Sequence, residues 1–148
     1  MKLYQNYYTY KMELSLAYMN KLASQTQFIS ALLCGFSLTV LVLLFDKKDS
    51  DKISVNIFRF AILATGAFLV SIFAMTNIFM MTTEGFPFPV ESKDLIFPNV
   101  LGGIALFIGI ASIALIIALL GWTKSRSLGI FSTTIGLITL LLIFLMLT

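Results

Sequence analysis

The side chains that carry most protein chemistry are few in this chain and badly placed for making or breaking bonds. It has no histidine, a single cysteine at Cys34 and seven acidic residues, none of them inside an apolar run; Arg59 lies only at the edge of one. Intramembrane enzymes and proton-coupled pumps need ionisable groups at membrane depth, where the cost of holding them there marks function. Neither class fits. Cys34 lacks the neighbouring base that a thiol nucleophile requires, and there is no metal-ligand spacing and no glycine-rich phosphate loop after a strand. No catalytic residue, metal or cofactor is expected, and the chain is not read as an enzyme. What remains is a row of small or polar groups, Gln27, Ser30, Cys34 and Ser37, at spacings of 3, 4 and 3. That spacing is one face of a helix. Small residues let helix backbones approach and hydroxyls bond across a helix pair, so the face is expected to be turned towards protein.

The stripe sits in an apolar segment, Phe28 to Phe45, that is 18 residues long and holds no Asp, Glu, Lys, Arg or His. At about 1.5 Å per residue, and with the polar turn before it, such a run crosses a ~30 Å hydrocarbon layer. Composition agrees: 59% of the 148 residues are hydrophobic and 11% charged, a balance that water-soluble domains of this length do not show. The expected fold is all-α, a polytopic membrane protein with four transmembrane helices at about 24–45, 55–82, 99–122 and 128–148, joined up and down. The segments outside these spans are too short to bury a core of their own, so residues 1–148 form a single membrane domain. The first span, with its polar stripe, is read as the central helix, surrounded by protein.

Residues 1–21 carry all five tyrosines and an apolar periodicity that predicts a helical extension, lying at the interface or continuing the first span into water. It is not expected to be a cleaved signal peptide, since the first apolar run begins only after residue 27. The charged segment 46–54 reads as a solvated loop. Gly66 with Ala67 marks a possible close-packing point in the second span, and Thr76 and Asn77 are expected to be satisfied by a neighbouring helix. Residues 83–98 hold all three prolines and are expected to be the one long non-helical connection. Gly102, Gly103 and Gly109 allow tight contact in the third span, and Trp122 belongs at the interface. Six basic residues on the side of the first and third loops against four on the other mildly favour both termini outside. The basic residues form no Lys/Arg-rich run, so nucleic-acid binding is not expected.

Several short motifs resemble the Orai family, the calcium-release-activated calcium channels. They are KLAS at 21–24, ALLCGF at 31–36, LLGWTKS at 119–125, STTI at 132–135 and LIF at 142–144, in the family's order and in matching spans. The resemblance implies a homo-oligomer, a hexamer in that family, with the first span of each subunit around one axis. Carried over through ALLCGF, the pore-lining residues would be Phe28, Leu32, Gly35, Phe36, Thr39 and Leu43, with Gly35 a flexible point beside a Phe36 gate. Ser30, Cys34 and Ser37 would be the stripe packing the first span onto its neighbours. The chain also departs from the family. Leu43 stands at the position of the selectivity glutamate, Phe28 at that of a basic pore residue and Ile138 at that of a proline in the fourth span, and the resemblance does not extend to the long C-terminal helix that meets the STIM sensor. Calcium takes oxygen ligands, and a carboxylate ring is what holds it. Strong calcium selectivity is therefore not expected, although Asp46, one turn beyond Leu43, is a candidate ring at the pore mouth.

The resulting expectation is an Orai-like homo-oligomeric ion channel of the cell inner membrane, embedded in the lipid bilayer, conducting cations through a hydrophobic gate. A four-helix protomer is too small to enclose a conduit alone. The alternative is a non-conducting scaffold or partner-binding subunit. A third reading, a transporter subunit, would draw its substrate groups from Thr65, Ser71 and Ser112.

Overall fold

The computed structural model describes residues 2–45 and 52–147. Its helices are α1 (Lys2–Phe45), α2 (Lys52–Met81), α3 (Ser92–Trp122) and α4 (Arg126–Leu147). All four contain segments long and apolar enough to cross a membrane. No residue breaks α1, so its 44 residues run about 66 Å. That is roughly twice the hydrocarbon thickness.

The helices pack in chain order, each antiparallel to the next. Three small clusters mark the contact of α1, α2 and α3 along their length: Ala23, Met75, Ile78 and Leu95 at one end, Cys34, Ala64 and Phe68 in the middle, and Ile57, Ala61 and Ile116 at the other. Every cluster contains α2, which therefore lies between α1 and α3. Within one chain α1 is not central: α2 covers one of its faces and the other is open, and α4 is the edge element at the far side of α3.

The α2–α3 seam is steric. A Cβ at Gly109 would lie 2.5 Å from the Phe68 ring, and one at Gly102 would lie 2.7 Å from Met75 Cε. Gly103 faces open space. Gly66 also meets nothing within 4 Å and lies on the open face of α2, so the close contact expected there is absent within the chain. Between α3 and α4 a Cβ at Gly136 would meet the Ala114 carbonyl at 3.0 Å. Ser132 Oγ donates to the Ala118 carbonyl at 2.9 Å, and Trp122 Nε1 donates to Thr133 Oγ1 at 3.0 Å.

The connections show where local chemistry outweighs a strong punctuation signal. Residues 92–98 were expected in a loop because of Pro98, yet α3 begins at Ser92 and Pro98 lies inside it. The start is fixed upstream: Asp94 accepts the Glu91 N–H at 3.0 Å, and the Asp94 N–H reaches the Glu91 carbonyl at 2.9 Å. A helix nucleated at that point reaches Pro98 with one missing backbone donor, a local cost that its following turns outweigh. Ser125 Oγ accepts the Leu128 N–H at 3.3 Å and starts α4. Gly85, at φ 90°, supplies the left-handed step of the α2–α3 connection.

Gly109→Ala should destabilise the bundle by about 1–3 kcal/mol, the usual cost of overpacking, read as a lower thermal midpoint in detergent. Gly103→Ala, one turn and a half away and open, should leave the midpoint unchanged or raise it.

Candidate functional site

The rotation of α1 about its axis is set by its polar stripe. Ser30, Cys34 and Ser37 are buried against α2, and Gln27 is half-buried. Ser30 Oγ lies 3.1 Å from Ser71 Oγ, and the Cys34 thiol points at the Thr65 carbonyl at 3.9 Å. Ser37 Oγ donates to the Leu33 carbonyl at 2.9 Å and Thr65 Oγ1 to the Ala61 carbonyl at 2.9 Å. Hydrocarbon offers no partner to a hydroxyl, so each must be satisfied inside the protein. No buried side-chain nitrogen or oxygen among the described residues lacks a partner.

With that face consumed, the opposite face points outward. It carries Phe28, Leu32, Gly35, Phe36, Thr39 and Leu43, all exposed in the single chain. The four large residues keep between 51% and 69% of their surface. The structure thus brings these six residues onto one unoccupied face, and separates them from the three stripe residues. Thr39 donates its hydroxyl proton to the Gly35 carbonyl at 3.0 Å, leaving its oxygen as an acceptor on the open face. A Cβ at Gly35 would meet nothing within 4 Å. No charged residue lies on the face between Phe28 and Leu43, and Asp46 lies outside the described residues. Chemically the face is an apolar wall that carries one hydroxyl oxygen, that of Thr39, and between Phe28 and Leu43 it has no group that transfers protons or attacks a substrate.

The three hydroxyls weighed as transporter groups are engaged elsewhere. Ser71 pairs with Ser30, while Thr65 and Ser112 bond the carbonyls of Ala61 and Ile108. Thr76, expected to bond a neighbouring helix, donates instead to the Ile72 carbonyl of its own helix at 2.7 Å. Among the described residues no three His, Cys, Asp or Glu side chains come together as a metal site.

Sequence reasoning passed over Asn20. Its Nδ2 donates to Thr82 Oγ1 at 3.0 Å and to the Phe79 carbonyl at 3.2 Å, with Thr83 Oγ1 at 3.4 Å. These bonds tie the N-terminal half of α1 to the last turn of α2 and the two threonines that follow it. The available signal was a carboxamide about two turns before the apolar run, within the segment treated only as an extension.

Compared with family models, characterised proteins and solved structures, the chain matches none.

A double-mutant cycle on Ser30→Ala and Ser71→Ala should return a coupling energy of about 0.5–1 kcal/mol, the usual worth of an interhelical hydrogen bond in a membrane. Steric-trapping unfolding in bicelles measures it. Zero coupling would mean that the two hydroxyls do not bond one another.

Proposed function

We propose that the protein is a small Orai-like subunit that assembles into a homo-oligomer, a hexamer by resemblance, and conducts cations through a narrow path lined by α1. The observation that carries this reading is the segregation of the two faces of α1. Its polar stripe is sealed against α2, and the residues that ALLCGF aligns with the Orai pore lie together on the face that remains open. An oligomer formed around that face would surround α1 with protein on both sides, which the single chain does not do.

The gating mechanism follows from the side chains. Rings of Phe28, Leu32, Phe36 and Leu43 would line a pathway too apolar and too narrow to stay hydrated, so the resting pore would be closed by dewetting. Gly35 would supply the room for backbone adjustment beside Phe36. Thr39 would contribute acceptor oxygens, which favour a cation, but no carboxylate stands on the described face to strip water from calcium. Conduction is therefore poorly selective among cations. The protein is a multi-pass component of the cell inner membrane and performs no bond chemistry; lipid and further copies of itself are its partners.

The scaffold reading is favoured by one observation. The buried polar side chains described on α1, Ser30 and Ser37, are used structurally, and an apolar outer face is also what lipid tolerates. Ion flux separates the two. In liposomes holding the purified protein, Leu32→Ser should wet the constriction and raise potassium and sodium flux severalfold over the parent chain. Equal silence from parent and variant, with unchanged oligomer size, contradicts the channel and leaves the scaffold.

A further inference from the structure

A cavity of about 880 Å³ opens where residues 16–20 of α1 meet the end of α2 and the connection that follows it. Its volume falls within the usual range for small-molecule sites. Leu16, Ala17, Met81, Phe86, Phe88 and Val90 form its apolar part; Asn20, Thr82, Thr83 and Glu84 form its polar part. On α1 its lining lies about two to three turns before the apolar run that starts at Phe28, and on the α2 side it begins where that helix ends, near the level at which lipid headgroups meet a spanning helix.

The polar side chains share one property. Thr82 and Thr83 have committed their hydroxyl protons to the carbonyls of Ile78 and Phe79, at 2.8 and 2.6 Å. Asn20 has committed its amide protons to Thr82 and Phe79, which leaves its carbonyl oxygen. Glu84 is exposed and has no ion-pair partner among the described residues, whereas Glu91 is paired with Lys93 at 2.8 Å. Among the described residues, every polar side chain lining the cavity is therefore an acceptor, and one is a carboxylate. Phe86 and Phe88, both in the lining, pack edge to face with their centroids 6.0 Å apart and add aromatic surface next to these acceptors.

We propose that this cavity binds the primary ammonium head of an amphiphile, with Glu84 and the hydroxyl and amide oxygens accepting its three N–H donors and the apolar side receiving the start of its tail. An ammonium with its own protons fits better than a quaternary head, because the lining supplies acceptors in excess of ring surface. An aminophospholipid and a simple long-chain amine share this chemistry. The proposal requires that the chain span a bilayer and does not depend on conduction.

Native mass spectrometry of the detergent-solubilised full chain tests it, with phosphatidylethanolamine and phosphatidylcholine of matched tails as probes. The ethanolamine lipid should be retained in preference, and Glu84→Gln, at a position with no structural partner to lose, should reduce its retention roughly fivefold. Decylamine should displace it, which assigns recognition to the ammonium. Equal retention of the two lipids, an unchanged preference in Glu84→Gln, or displacement by magnesium chloride but not by decylamine would each overturn the proposal.

Discussion

The contact between the polar stripe of α1 and α2 sets the geometry of everything else in this protein. Hydrocarbon cannot accept or donate a hydrogen bond, so Ser30 and Ser37 must find partners within the bundle. Ser30 finds Ser71, Ser37 bonds back to its own helix, and Cys34 lies between them over Thr65. Because the stripe occupies one side of a 3.6-residue helix, burying it fixes the rotation of α1. The face bearing Phe28, Leu32, Phe36 and Leu43 is then turned outward as a consequence.

The three seams are held by different physics. Between α1 and α2 the contact is small and polar, with an additional clasp at Asn20. Between α2 and α3 it is a fit of large into small, Phe68 against Gly109 and Met75 against Gly102. The α3–α4 seam uses both devices, glycine at 136 and hydrogen bonds from Ser132 and Trp122. Dispersion and close approach dominate where hydrophobic association is unavailable, since a lipid tail is as apolar as a leucine.

Much of this architecture is legible in the chain itself. Uncharged runs of about bilayer length mark the spans, and the 3, 4, 3 spacing of Gln27, Ser30, Cys34 and Ser37 marks a single helical face. Partnership is not legible in the same way. Ser71 and Thr65 appear in isolation as polar groups at mid-span, equally suited to a substrate, and only the packing of α2 on α1 assigns them to the seam. Among the glycines, sequence does not separate Gly103 and Gly66, which face open space, from Gly102 and Gly109, which meet a neighbour. Pro98 misleads for a physical reason: a proline interrupts a helix locally, whereas the Glu91–Asp94 cap that begins α3 lies one turn and a half upstream. The six residues of the candidate pore face share a side because helical geometry requires it.

The most direct test of the account is cross-linking between copies in the native membrane. Single cysteines would be introduced in a Cys34→Ala background as Leu32→Cys, Thr39→Cys or, on the exposed side of α4, Leu137→Cys, and treated with a short bifunctional thiol reagent. If α1 surrounds a common axis, Leu32→Cys and Thr39→Cys will link copies to one another and Leu137→Cys will not. Linking through Leu137→Cys as readily as through the α1 positions, or through none of them, would contradict it.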